Sequence, residues 1–455
     1  MNIDRLIKKA EELAGRYGVT YYEVRVVKIS AAHLEMQNSH LEEISSNMEI
    51  GIGVRAFQGA WGFSSANDIG RAEKAIETAM KIAKLMKGSS KVYLDDPIKD
   101  RAEIKAKKPF INVDLDEKLE LVKTVDKFLE DNDIVNRKVS YGDGLKWQFY
   151  FNSLGSEIET IIPRIRLSFS ATAKKGNEMQ SYWKIFGGTG GWEIVEGVDL
   201  EYWTAFVKEK SKSLLNAQLP PSGEFDVIMD PELAGVFIHE ALGHASEGDA
   251  IKNGESILEG KLGEKIAVEE LTVVDDPTLE GKFGSYIYDD EGVKARKVEI
   301  IKDGVLNEYL LDRETAAYFD MEPNGHGRAQ SYNYQPLVRM SNTYIEPRDW
   351  SFEEMLSEVR YGLYLIGDKG GEVDIANGTF MFGAKEGYLI ENGEIKAHIR
   401  DVALSGKILD VLKNIRAIGK DLKVEFPGYC GKGQWVPVDD GGPHVLTRAL
   451  VGGLL

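Results

Sequence analysis

Along the first 90 residues, apolar positions follow helical spacing at both ends and strand spacing between them. Ile3, Leu6, Ile7, Ala10 and Leu13 predict a helix over Ile3–Tyr17. From Thr20 to Ser65 the composition turns β-like. Four short strands are expected there, with Tyr21–Val27 and Gly51–Arg55 as the clearest candidates. Ala75, Ile76, Ala79, Met80, Ile82 and Ala83 return to helical spacing over Ala72–Met86. Residues 1–90 therefore read as an N-terminal α+β domain. The polar stretch that follows, with Pro97 and Pro109, reads as a linker over 91–112. Residues 113–219 repeat the order loosely: a helix over Asp116–Leu129, strands from Val139 to Phe186, and a helix over Val198–Leu215. They read as a central α+β domain and a possible distant repeat of the first. Pro220-Pro221-Ser222-Gly223 is the sharpest break in the chain.

The rest, 220–455, alternates strands with short helices. Asp303-Gly304 and Asn392-Gly393 each sit between apolar runs, and both dipeptides favour the positive φ angles of a two-residue hairpin turn. Ser351 with Glu354 forms a capping box that opens a helix expected to reach about Leu365. Ser405 is expected to cap another helix that Gly419 ends. The fold class that follows is α+β: mixed N-terminal α/β domains with helices packed on antiparallel sheets, then a β-rich C-terminal α+β domain.

Composition narrows the function classes. With 455 residues, 43% of them hydrophobic and 29% charged, the chain is long enough for about three cores and is not a disordered polymer. Against 56 basic residues stand 74 acidic ones, a net charge of −18, which argues against nucleic acid as the main partner. No apolar run approaches the roughly 18 residues of a membrane helix, so no membrane is expected. The start, Met1 to Arg5, lacks the charged-then-apolar order of a leader. A single cysteine, Cys430, cannot form an internal disulfide, and a cytoplasmic location follows as the expectation. Gly51-Ile52-Gly53 lacks the third glycine of a dinucleotide fingerprint, and neither a phosphate-binding loop nor a Gly-x-Ser-x-Gly elbow is present.

The informative stretch is Asp230 to His244. Phe225–Met229 reads as a buried strand, Asp230 as an N-cap and Pro231 as the first helical residue, so a helix runs from 231 toward 244. It carries His239, Glu240 and His244. Neutral imidazole is a good Zn²⁺ ligand, and a nearby carboxylate can take a proton from water at the metal. The histidines, however, are five residues apart rather than four. At ~100° per residue, five steps turn the second ring about 140° from the first. A regular helix cannot aim both at one ion, so the backbone must widen or end near Gly243. A lone histidine at the end of an apolar helix is more often a packed core residue, and that alternative stands beside the metal reading. A third donor is needed. Cys430, in the glycine-rich segment Phe426–Gln434, can supply it, the alternative being a small buried hydrophobe.

The His-Glu-x-x-x-His motif (HExxxH), followed by Ala245-Ser246-Glu247-Gly248-Asp249 and a late Pro-Gly-x-Cys-Gly-Lys, resembles the TldD/PmbA family of metallopeptidases. Asp289–Gly292, Gly325–Ala329, Arg339–Thr343 and Leu389–Gly393 are similar to family motifs in the same order. The chain keeps the metal motif and the cysteine, so it resembles the catalytic TldD branch. That resemblance implies a zinc-dependent peptidase with one Zn²⁺ per chain, held by His239, His244 and Cys430, with Glu240 as general base. It implies unfolded or short peptides as substrates, held by strand addition in the cavity of a dimer. The dimer is either a homodimer or a heterodimer with a PmbA/TldE-like paralogue. The family is also linked to modulation of DNA gyrase, so a metal-stabilised peptide-binding or modulator subunit with little catalysis is the alternative. Arg339 or His326 are candidate oxyanion donors. Glu247 and Asp249 are expected either to orient a histidine or to end the helix in water. Asp289, Asp290 and Glu291 read as a turn rather than a second metal site.

Overall fold

The computed structural model describes residues 3–86 and 88–453; Met1 and Asn2, on which part of the leader reading rests, lie outside them. The chain begins with α1 (Ile3–Tyr17), β1 (Tyr21–Gln37), β2 (His40–Phe57), β3 (Trp61–Ala66) and α2 (Ala72–Leu85). Three strands stand where four short ones were expected. The difference lies at Asn38 and Ser39, whose φ angles of 48° and 63° make a two-residue hairpin turn from a dipeptide without glycine. With no proline or glycine between Tyr21 and Gln37, β1 continues unbroken for 17 residues.

The segment read as a linker contains β4 (Lys99–Glu103), which pairs in parallel with a later strand. Its five residues carry four charges, so a strand pattern is invisible there; it pairs at the sheet edge, with Ala102 packed against Tyr150, Ile158 and Tyr288. Then come α3 (Leu115–Phe128), β5 (Ile134–Asn152), β6 (Glu157–Lys175), β7 (Glu178–Thr189), α4 (Glu193–Glu196) and α5 (Leu200–Leu214). The two blocks repeat helix, three-stranded antiparallel meander, helix. β1 pairs β5 antiparallel, so one seven-stranded sheet runs β3-β2-β1-β5-β6-β4, with β7 also on β6.

Alternation along the long strands explains the layers. Tyr22, Val24 and Val26 of β1 pack with α1 and α2, and Leu34 and Met36 of the same face pack with α3 and α5. The opposite face is polar and still buried, because the C-terminal region covers it. There Arg55 bridges Glu23 (2.7 Å) and Glu291, and Arg25 Nη2 donates to the Tyr334 carbonyl at 2.6 Å. Gly51 and Gly53 permit that approach: a Cβ on Gly51 would stand 2.4 Å from the Tyr332 ring, and one on Gly53 2.2 Å from its carbonyl oxygen.

The C-terminal region holds two larger sheets. One orders as Val305–Leu306, Val298–Lys302, Val273–Asp275, Asn342–Ile345, Trp435–Gly442 and Lys423–Gly431. The other orders as Tyr361–Asp374, β8 (Gly223–Met229), Val445–Gly453, Val402–Lys407, Thr379–Glu391 and Glu394–Ile399. Both hairpin turns form as expected, with positive φ at Asp303, Gly304, Asn392 and Gly393. Two expected helices are shorter. The one capped by Ser351 covers only Phe352–Glu358, because Tyr361–Asp374 is drawn into parallel pairing with β8. Ser405 lies inside a strand, and the helix Ile408–Lys413 starts after it. Between the sheets runs α6 (Pro231–Ile238), its Phe237 ring 5.1 Å from Phe380 and 6.5 Å from Phe382.

Candidate metal centre

Asp230 caps α6 by accepting the Leu233 N–H at 2.9 Å, and Pro231 occupies the first turn. The regular helix stops at Ile238. Residues His239–Gly243 form a π-helical turn and His244–Ser246 a 3₁₀ turn. The wider turn reduces the angular offset that five α-helical steps would impose. A side chain at position 243 has no room, since a Cβ there would lie 1.9 Å from Met340 Sδ.

The helix is also pressed against the strand that faces it. A Cβ on Gly235 would stand 2.5 Å from the Gly441 nitrogen, so glycine at position 235 permits this contact. The contact aligns α6 with the hairpin Lys423–Gly431/Trp435–Gly442, in which Cys430 pairs with Val436. The glycine-rich segment around Cys430 is not a loop: Cys430 lies in a strand, at the edge of its sheet, where Pro427 costs no ladder bond.

The structure brings His239, His244 and Cys430 together, with one donor atom of each within 4.8 Å of the others. His239 Nε2 and His244 Nε2 each lie 3.3 Å from Cys430 Sγ. A tetrahedral zinc with Zn–N near 2.05 Å and Zn–S near 2.3 Å would separate such atoms by about 3.6 Å. Both nitrogen–sulfur separations lie within a few tenths of an ångström of that value. Each ring's other nitrogen faces a carboxylate: His239 Nδ1 lies 2.7 Å from Asp440 Oδ1, and His244 Nδ1 lies 3.2 Å from Glu247 Oε2. This fixes which nitrogen points inward. Glu240, a third exposed, holds Oε2 3.7 Å from His244 Nε2.

Electrostatics reinforce the cluster. Burial opposes charge on Cys430, yet the two imidazoles outweigh it and lower the thiol to about 6. Burial likewise opposes a charged His244, but Glu247 and Cys430 raise it to about 10. His239 is raised too: Asp440 and Cys430 overcome its burial. Glu247 is held down to about 2, because His244 and Lys432 overcome its desolvation.

Of the remaining expectations, Glu247 meets His244, whereas Asp249 pairs with Lys432 Nζ at 2.7 Å. Arg339 and His326 do not reach the cavity. Fully buried, Arg339 donates to the carbonyls of Cys430 (2.6 Å) and Gln434 (2.9 Å), bracing the strand that carries the thiol. His326 is equally enclosed, between Asp275 (2.9 Å) and Asn324 (3.0 Å). Both ring nitrogens of His326 face protein groups, whereas Arg339 Nε has no hydrogen-bond partner and lies 3.9 Å from Glu247 Oε1. Asp289, Asp290 and Glu291 form more than a turn. Asp289 accepts the N–H groups of Glu291 and Val293, while Asp290 and Glu291 pair with Lys146 and Arg55 in the buried layer under the sheet. Asp440 has no place in the sequence reading; its only sequence signal is an acidic pair that follows Val436 and Val438 in a strand.

His239, Glu240, His244 and Cys430 line a cavity of about 640 Å³, walled on one side by Trp183 to Gly187 of β7 and on the other by Glu425 to Gly431. No helix among the described residues is long and apolar enough to cross a membrane.

The chain matches three consecutive family models: PmbA/TldA metallopeptidase domain 1 over 22–83, the central domain over 108–218 and the C-terminal domain over 222–453. It is 43% identical to a metalloprotease of Methanothermobacter thermautotrophicus, over 96% of each chain. To a zinc metalloprotease TldD homologue of Saccharolobus solfataricus it is 34% identical, over 99% of each chain. Its fold is that of a Thermotoga maritima protein described as a candidate modulator of a DNA gyrase (TM-score 0.82, 23% identity, 99% of this chain and 100% of that one). TldE of Thermococcus kodakarensis shares the fold as well (TM-score 0.79, 19% identity, 99% of this chain and 100% of that one). The chain belongs to the PmbA/TldD family of metallopeptidases.

Proposed function

We propose that the protein is a zinc-dependent peptidase acting on unfolded or short peptides, with one Zn²⁺ per chain held by His239, His244 and Cys430. The observation that carries this reading is the convergence of two imidazole nitrogens on one thiol at 3.3 Å, with Asp440 and Glu247 behind the rings. A bound zinc would supply Lewis acidity, polarising a peptide carbonyl and making water acidic near neutral pH. Glu240 takes the proton from the attacking water and delivers it to the leaving amine; its partial exposure at the cavity wall suits both transfers. Asp440 and Glu247 hold the two rings in one tautomer. The walls offer two strand edges, β7 and Lys423–Gly431, whose main-chain groups can pair with an extended peptide. Such pairing reads little of the side chains and favours broad specificity.

The test is zinc analysis together with cleavage of a model peptide. Glu240→Ala is expected to keep stoichiometric zinc and lose hydrolysis, and His239→Ala and Cys430→Ala to lose both. Equal cleavage by wild type and Glu240→Ala removes the general-base assignment and favours a modulator or binding role. On the same reading the chain works as half of a dimer in a reducing cytoplasm. Light scattering of the chain alone, and mixed with a PmbA/TldE-like paralogue, separates a homodimer from a heterodimer.

A further inference from the structure

A second cavity, of about 450 Å³, opens between the polar face of the N-terminal sheet and the C-terminal region. Tyr429, the neighbour of Cys430, lines both this cavity and the metal cavity, so the two adjoin. Its floor is built of small residues. β5 places Gly142 and Gly144 opposite Arg166 and Arg164 of β6, and a Cβ on Gly144 would meet nothing within 4 Å. The two arginines, two residues apart, stand on one face of β6 in that open space.

The charges there do not cancel. Asp143 receives Lys118 at 2.7 Å, Asp290 receives Lys146 at 2.7 Å, and Asp289 accepts backbone N–H groups. Arg164 is fixed by the carbonyls of Phe283 and Ser285, both at 2.8 Å, through Nε and Nη2, which leaves Nη1 uncommitted. Among the described residues Arg166 has no ion-pair partner, and its buried Nε has no acceptor. The buried Oε1 of Gln148, which lines the same cavity, also lacks a partner. Burial lowers both arginines, Arg164 to about 10 with Arg328 adding to the effect. An unpaired, half-buried guanidinium is costly, and in a chain of net charge −18 its survival without a carboxylate calls for a ligand.

We propose that Arg166, with Arg164 beside it, binds a carboxylate of the peptide substrate and so anchors one end of the chain that crosses the metal cavity. The inference rests on the peptidase reading for what lies between the two cavities, but not for the binding itself. Carboxylate recognition by a guanidinium is charge-assisted and planar, and Tyr429 separates the anion from the reacting groups.

The test uses zinc-loaded protein carrying Glu240→Gln, so that binding is read without cleavage. Three fluorescent peptides of one sequence are compared by anisotropy: a free C-terminal acid, its amide, and the amide with a glutamate as last residue. The free acid is expected to bind about tenfold or more tighter than the amide, and Arg166→Gln to abolish the difference by weakening the acid alone. Arg166→Lys should restore part of it. If the glutamate amide binds like the free acid, the site reads a side-chain carboxylate as well as a terminal one. Equal binding of acid and both amides, unchanged in Arg166→Gln and Arg166→Lys with zinc content and melting temperature intact, overturns the proposal. Failure of the peptidase reading would appear separately, as absence of cleavage by the wild-type chain.

Discussion

Asp440→Asn isolates the support behind the metal centre. The carboxylate lies 2.7 Å from His239 Nδ1, is almost fully buried, and comes from the strand that Gly441 presses onto α6. Asparagine keeps the volume and an oxygen near Nδ1, so the change removes charge and little else. Groups in this position typically contribute 10–100-fold to metal affinity, about 1.4–2.7 kcal/mol. Two unit charges near 4 Å at an effective dielectric of about 20 interact by roughly 4 kcal/mol, which bounds that range from above. The assay is zinc competition against a chromophoric chelator at neutral pH, with far-ultraviolet circular dichroism to show that the fold is kept. Weakening of zinc binding by 10–100-fold is expected. Affinity within twofold of wild type, with the fold intact, would refute the idea that Asp440 orients and charges the ring.

Three further outcomes follow from the same geometry. Gly243→Ala drives a methyl into Met340 Sδ at 1.9 Å, so urea unfolding should show a loss of about 1–3 kcal/mol, and adding Met340→Ala should recover part of it; a neutral Gly243→Ala would mean that the π turn is not sterically enforced. In metal-free protein Cys430 should react with iodoacetamide as a thiolate whose fraction grows as pH rises through about 6, and zinc should protect it; a midpoint near the ordinary 8.5 would show that His239 and His244 do not stabilise the anion. Arg339→Gln strips charge-assisted bonds from the carbonyls of Cys430 and Gln434, and a stability loss of about 3 kcal/mol by urea titration, with weaker zinc binding, is the expected result; undiminished stability would argue that the brace is dispensable.

The parts of the fold that were legible in sequence are those set by local rules. Amphipathic spacing marked α1, α2 and α5, paired positive-φ residues marked the two hairpins, and Asp230-Pro231 marked the start of α6. At the candidate site, the five-residue histidine spacing required a distortion at Gly243, and a π turn stands there. What stayed hidden depends on partners distant in sequence. β4 carries four charges in five residues and is a strand only because β6 pairs with it. Tyr361–Asp374 abandons the helix that the Ser351 box begins, because β8 offers a parallel neighbour. Arg339 and His326 carry chemistry that suits an oxyanion, but only the packing reveals that their donors face Cys430, Gln434, Asp275 and Asn324. Asp440 is the reverse case: an ordinary strand residue until α6 brings His239 to it.

X-ray absorption at the zinc edge of the metal-loaded protein tests the central claim most directly. One zinc per chain is expected, with a single sulfur near 2.3 Å and two imidazole nitrogens near 2.05 Å, the sulfur shell vanishing in Cys430→Ser. A spectrum of nitrogen and oxygen alone in the wild-type chain would contradict it.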